Sequence, residues 1–600
     1  MNTRVMTDYE FRQWIALKAI IGNTATMCPT IGGIIIKCIV CTTIEPLVTT
    51  SSGTVRGQTL HLLNKKIDQY LNIPFAEPPV GRLRFAKPVP LITSKNDIID
   101  GTKPGNSCIQ TQAESISNLF SGLQESEDCL VLNVWSPQTT GAINVGGGDS
   151  DVDQPLLKPV MFWIYGGALS KGSIFQDIYN ASALAATGDV VIVAANYRVG
   201  ALGFLYGADD SAPGNVGFYD QLVALQWVRD NIHAFGGDRD QITIFGVSAG
   251  SWSVSAHLLS PLSIGLYRRA IMQSGAVMFN KDRPILDTVD ALSKAKQLAN
   301  RVGCDPYDYY WLDCLRAIND PKLLKDINPY GGTYVVTYPV IGTEFLPVLT
   351  QKAFELNNYN KDIDLLIGAT SNEGNGLLLL VYPETTGANI TIELFYKILD
   401  YIDQDIHNVD KLKIADYYLD NVDTTNSSQL LRAMGDLFGH LLLLCPTYKF
   451  AKQFAGRTAS GTTRGVGGEH QVYYYEWAYK SRNNIMRALE QQLGLPADLI
   501  HHGADIDFIF GKPFITDDND YSKLDYDFSL ETMKMWTNFA KYGKPNNEWP
   551  EFLDNNNKIN NNNQLKTIKV KYLSPNIKQI NSILDDPYVR TCDGIWSDYF

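Results

Sequence analysis

Short runs of β-branched and other apolar residues alternate along this chain with longer stretches whose apolar positions recur every three or four residues. The runs at 160–165, 190–196, 242–245 and 365–367, each bounded by Gly, Asp or Asn, predict strands. Between the second and third, the segment 219–233 puts Leu222, Leu225, Trp227, Val228 and Ile232 on helical spacing, which predicts a crossover helix. Strand, helix, strand in this order implies parallel pairing, hence an α/β sheet covered on both faces. Residues 251–259 can be helical, and 508–510 read as strand-like. The Gly- and Asn-rich tracts at 141–153, 461–468 and 555–563 read as surface insertions, since the strand-helix texture continues across them. One domain over 46–600 is the economical reading.

The first 45 residues have a different texture. Arg4, Arg12 and Lys18 precede an uncharged stretch over 19–36, which predicts an N-terminal targeting segment cleaved before about Glu45. Asn23, Pro29 and Lys37 make that stretch a poor membrane span, so no stable span is expected; an N-terminal anchor facing the exterior is the alternative. With 45% hydrophobic and 11% aromatic residues the chain can bury a large core, and 51 Lys+Arg against 64 Asp+Glu lack the basic footprint of a nucleic-acid partner. Cys28, Cys38 and Cys41 crowd the N-terminus, while Cys108, Cys129, Cys304, Cys314, Cys445 and Cys592 form an even set of six that can make three bridges; no C-x-x-C pair has the second pair that a zinc site needs. Sequons at Asn180, Asn389 and Asn426 are glycosylation candidates and, with the cysteines, point to a secreted protein.

Directly after the strand at 242–245 comes Gly246-Val247-Ser248-Ala249-Gly250. A strand, G-x-S-x-G and then a helix is the setting of an exposed nucleophilic serine on a sharp turn, where a β-carbon at either flank would meet neighbouring backbone. A serine hydroxyl attacks only when an imidazole takes its proton, and that imidazole needs a carboxylate to fix its tautomer. Downstream lie His257, His407, His440, His470, His501 and His502. His502, in the loop His502-Gly-Ala-Asp505, is the candidate base, spacing alone leaving His501 open beside it, and His257 in the helix after the serine reads as packing. Glu373, beyond the C-terminal end of the strand at 365–367, is the candidate acid, since catalytic groups of open α/β sheets collect there. An oxyanion needs fixed donors, and the N–H of Ala249 and the loop Tyr165-Gly-Gly-Ala-Leu169 can supply them.

The chain resembles the type-B carboxylesterase and cholinesterase family from about residue 48 to 600. The resemblance rests on Ile73-Pro-Phe-Ala-Glu-Pro-Pro-Val-Gly-Arg-Leu-Arg-Phe85, Ser126-Glu-Asp-Cys-Leu-Val-Leu-Asn-Val134, Tyr165-Gly-Gly167, Asn215-Val-Gly-Phe-Tyr-Asp-Gln221, Phe235-Gly-Gly-Asp238, the serine turn, Gln273-Ser-Gly275, Asn372-Glu-Gly374 and His502-Gly503, in that order. It implies an α/β-hydrolase fold, a large mostly parallel central sheet with helices on both faces. It also implies a Ser248, Glu373, His502 triad, an oxyanion hole from Gly167, Ala168 and Ala249, and bridges Cys108–Cys129, Cys304–Cys314 and Cys445–Cys592. No metal or organic cofactor is expected, and the implied substrate is a small-molecule carboxylic ester.

Departures from the family's pattern shape the expected chemistry. Val247 stands where Glu is usual, removing a negative charge beside the serine, and Ala168 stands where Gly is frequent. The Cys108–Cys129 loop holds Phe120 but no tryptophan, Gly376 stands where an aromatic is expected three residues beyond the acid, and Thr333 and Val335 take the place of phenylalanines. A cation held over aromatic faces gains up to about 2 kcal/mol, and this pocket forgoes most of that. The sequence therefore predicts a general carboxylesterase acting on uncharged esters. The alternatives are a catalytically silent adhesion or binding protein on the same scaffold, which Val247 and Ala168 keep open, and a cholinesterase.

Overall fold

A computed structural model describes residues 45–91, 98–110, 123–138, 156–279, 281, 286–325, 338–386, 389–406, 409–458, 470–482, 491, 496, 498–516, 521–553, 567–575 and 582–600. The tracts at 141–153, 461–468 and 555–563, Phe120, Thr333, Val335 and the targeting segment up to residue 44 lie outside the described residues.

A sheet of eleven strands organises the described residues: β1 (Gln58–Leu62), β2 (Lys65–Pro74), β3 (Val131–Pro137), β4 (Lys158–Ile164), β5 (Val191–Ala195), β6 (Gly237–Val247), β7 (Arg269–Gln273), β8 (Asp364–Thr370), β9 (Val472–Trp477), β10 (Lys569–Leu573) and β11 (Ile583–Asp585). Their order across the sheet is β11-β10-β9-β8-β7-β6-β4-β5-β3-β2-β1. From β5 through β10 every pair of neighbours is parallel, and antiparallel pairs occupy the two margins. All four predicted strands fall in the parallel centre, where strands covered on both faces read as unbroken apolar runs. The predicted crossover helix is α1 (Val216–Asn231), which leads from β5 to β6; those two strands flank β4 and both pair parallel with it.

The residues at 508–510 correct the sequence reading. They are helical, within or just after the short helix Ile506–Ile509, with Ile509 N–H bonded to the Asp505 carbonyl. A three-residue apolar run cannot be told from a buried helical turn by periodicity. Phe510 is fully buried, its ring 4.8 Å from that of Trp163 on β4, so this segment nails the histidine loop to the sheet.

The three bridges implied by the resemblance, Cys108–Cys129, Cys304–Cys314 and Cys445–Cys592, are all formed. Of the sequon asparagines, Asn389 and Asn426 are exposed and Asn180 is half-buried. Among the described residues no helix is long and apolar enough to cross a membrane.

Candidate active site

β6 passes into the helix α2 (Ala249–Leu259) through a single residue, Ser248, whose φ of 59° and ψ of −124° lie where side-chain-bearing residues rarely sit. The flanking glycines are demanded by close approach. A Cβ on Gly246 would lie 2.6 Å from the Ile164 carbonyl oxygen, and one on Gly250 would lie 2.1 Å from the same atom. The Ser248 N–H donates to the Gln273 carbonyl at 2.8 Å, which fixes the turn against β7, and the residue stays half-buried, open to an approaching molecule.

The glycine-rich loop lies against this turn. A Cβ on Gly166 would meet the Val247 carbonyl oxygen at 2.6 Å and Ser248 Cβ at 3.0 Å. Gly167 has φ 124°, Ala168 φ 54° and Leu169 φ 57°, so the alanine that replaces the frequent glycine does occupy the left-handed region, at a cost of about 1–2 kcal/mol. The loop closes on itself through bonds from Ser170 N–H and Lys171 N–H to the Gly167 carbonyl at 3.0 and 3.1 Å. Among the described residues, none accepts from the N–H groups of Gly167, Ala168 or Ala249, and the last sits in the first turn of α2, where the helix dipole favours negative charge. Lys171 is 5% exposed, and burial pushes its amine down to about 7.

Gln110, just past Cys108, grips the end of this loop at two points. Its Oε1 accepts from Gly172 N–H at 2.9 Å and its Nε2 donates to the Gly172 carbonyl at 3.1 Å. Gln110→Leu, which leaves both peptide groups without partners in a buried site, is expected to cost about 1–3 kcal/mol in urea unfolding and to lower kcat more than it raises KM. Unchanged stability and kcat would show that the grip is idle.

Glu373 follows β8 and His502 lies in the loop that returns to the sheet after β9. His502 Nδ1 is 2.5 Å from Glu373 Oε2, and Glu373 Oε1 accepts from Thr370 N–H at 2.6 Å. The Glu373 side chain is 1% exposed and that of His502 14% exposed. The two loops are laced together, with Asn372 bridging in parallel to His501, Asn372 N–H donating to the Ile500 carbonyl at 3.1 Å, and Ile500 N–H donating to Asn372 Oδ1 at 3.0 Å. Gly503 needs its glycine for a φ of 79°, not for space. His501 turns its Nδ1 to the His502 carbonyl at 3.0 Å, so of the two adjacent histidines it is His502 that meets the acid.

Register brings these pieces to one edge. Val247 pairs with Gln273 and Gln273 with Gly368, so the serine turn, Gln273 and the acid turn follow one another at the C-terminal ends of β6, β7 and β8. Gln273 also joins the serine turn to the histidine loop, because its Nε2 donates to Asp505 Oδ2 at 2.8 Å while its carbonyl holds Ser248. Asp505 is fully buried, and burial raises its carboxyl to about 6. Gln273 and Asp505 stand within motifs visible in the sequence, but nothing in their spacing shows that they meet. His257 is packing, as expected: it bonds Ser263 Oγ at 2.7 Å and Gln221 Oε1 at 3.1 Å, and burial pushes it down to about 3. Among the described residues no atom lies within 4 Å of where a Cβ on Gly376 would stand, and Val247 is buried without charge.

A mostly parallel sheet with a G-x-S-x-G turn, a buried glutamate and a histidine gathered at its C-terminal edge has the architecture of an α/β hydrolase. The family model described as "Carboxylesterase family" matches residues 44–579, and this chain belongs to that family. It is 33% identical to the cholinesterase of Mus musculus over 532 residues, covering 84% of this chain and 81% of the mouse protein. The acetylcholinesterases of Leptinotarsa decemlineata and Electrophorus electricus are 33% and 34% identical over 535 and 537 residues, each with 84% of this chain and 81% of the relative covered. The chain is a carboxylic ester hydrolase.

Proposed function

We propose that this esterase works through Ser248, His502 and Glu373 and acts on uncharged carboxylic esters. The observation that carries the reading is the 2.5 Å contact between His502 Nδ1 and the buried Glu373, at the sheet edge where Ser248 is held in its strained turn. A carboxylate accepts, so the Nδ1 proton points at Glu373 and Nε2 is left with a lone pair for the serine proton. Ser248 Oγ attacks the ester carbonyl while its proton passes to His502 Nε2. Negative charge grows on the carbonyl oxygen, where the N–H groups of Gly167, Ala168 and Ala249 receive it. The imidazolium, stabilised by Glu373, then protonates the departing alcohol, and an acyl group stays on Ser248. Water attacks that acyl group with His502 again as base, releasing the acid and restoring the hydroxyl.

The preference for uncharged esters follows from Val247, which places no carboxylate beside the serine, and from Gly376, which carries no ring to face a cation. The names of the relatives favour choline esters as the competing reading. Three disulfides support an oxidising compartment, and we take the protein to be secreted. A serine-directed phosphonate followed by peptide mapping, with a choline ester compared against its isosteric neutral carbon analogue, tests both halves. Labelling at Ser248 and a neutral ester hydrolysed at least as well as the choline ester are expected. An unlabelled Ser248 would favour the silent scaffold, and a choline preference near thirtyfold, the equivalent of about 2 kcal/mol, would favour the cholinesterase.

A further inference from the structure

The turn that carries Glu373 continues into α3 (Gly374–Val381) and is covered by α4 (Ser427–Gly439), and the backbones approach until no side chain fits between them. A Cβ on Gly374 would lie 2.0 Å from the Gly435 carbonyl oxygen and 2.3 Å from Gly439 N. One on Gly439 would lie 2.5 Å from Gly374 N and 3.2 Å from Glu373 Cβ, and one on Gly435 would meet Asn375 Nδ2 at 2.1 Å. Gly435 and Gly439 are four residues apart and therefore share one face of the helix. Asp436, next to the first of them, lies near enough to the side chain of Asn372 for the amide to favour its charged form. Asn372 is the residue before the acid, and its main chain and Oδ1 hold Ile500, two residues before His502. One helix thus bears directly on the acid turn and, through Asn372, on the base loop. Its far end is fixed as well, since a π-helical turn, His440–Leu444, leads straight to Cys445 and its bridge to Cys592.

We propose that α4 is the positioning element of the acid–base pair, with Gly435 and Gly439 seating its backbone on the Glu373 turn and Asp436 holding Asn372, so that Glu373 and His502 keep their contact through the reaction. The proposal rests on the triad assignment above. A displacement of about 1 Å in a catalytic group can cost about a hundredfold in rate, and a methyl group at 439 forces a shift of that order on Gly374. Asp436 itself is half-buried, and burial raises its carboxyl to about 6.

The test is kcat per active site titrated with a phosphonate, so that unfolded protein does not count. Gly439→Ala is expected to lower kcat on a short aryl ester about ten- to a hundredfold with KM within threefold. Gly456→Ala, in the helix α5 (Cys445–Thr458) with nothing among the described residues within 4 Å of its Cβ position, is expected to match the parent. Asp436→Asn, which keeps size and shape, is expected to lower kcat about tenfold with the same KM; it decides the matter alone if Gly439→Ala does not fold. A purely structural role would change the melting temperature and leave kcat per site at the parental value, and that result in both variants, or in Asp436→Asn alone where Gly439→Ala does not fold, overturns the proposal. A parent that neither labels nor hydrolyses overturns the triad assignment, and this proposal with it; an active parent with unaltered variants overturns this proposal alone.

Discussion

Ser248→Ala is expected to lower kcat on a short aryl ester by roughly a millionfold, the scale on which triad nucleophiles are lost elsewhere, and to abolish phosphonate labelling. The fold should survive, because the Ser248 hydroxyl is not what holds the turn: its N–H is bonded to the Gln273 carbonyl and the flanking glycines sit too close to Ile164 and Gly250 for any alternative. Alanine inherits the φ of 59°, so its stability should match that of serine. Ser248→Gly should be equally inactive yet more stable by about 1 kcal/mol, since glycine accepts that conformation and the strain exists only to present a side chain. Residual turnover within tenfold of the parent in either variant would remove Ser248 from the chemistry. A stability lower for glycine than for alanine would instead show that the turn is unstrained.

The parts of the fold legible in the sequence are those where one physical demand acts alone. β4, β5, β6 and β8 lie in the buried parallel centre and are apolar for that reason, and the serine turn announces itself because its close approaches admit glycine only. β7, β9 and β10 escape the pattern because charged residues interrupt them. Arg269 on β7 is buried against Asp364, Gln241 and the Ala540 carbonyl, Glu476 on β9 accepts from Ser371 and Tyr588, and Lys571 on β10 donates to Ser582. Arg269 and Glu476 are tolerated because residues far along the chain pair with them, and such pairs are invisible to a window of a dozen positions. The same holds at the site. Choosing His502 over His501 takes the contact to Glu373 across 129 positions, and the seating of α4 on the acid turn takes glycines 435 and 439, which in the sequence look like ordinary weak points of a helix.

Glu373→Gln should lower kcat by about ten-thousandfold at neutral pH, a larger loss than removing a charge alone would give, because the amide has its orientation chosen for it. Thr370 N–H donates to Oε1 at 2.6 Å, so the glutamine must keep its carbonyl oxygen there and turn its NH2 toward His502. Two donors cannot face each other, and the neutral imidazole responds by moving its proton from Nδ1 to Nε2. The nitrogen that should receive the serine proton is then already occupied, while size, burial and fold are unchanged. Substrate binding does not use that proton, so KM should stay within a few-fold of the parent and the loss should fall on kcat. Glu373→Asp, which retains the charge but is one methylene short, is expected to keep more activity than the glutamine variant. Imidazole nitrogen NMR of His502 should show the hydrogen on Nδ1 in the parent and on Nε2 in Glu373→Gln. Equal kcat in parent and Glu373→Gln, or an unchanged tautomer accompanied by full loss of activity, would mean that Glu373 does not orient the base.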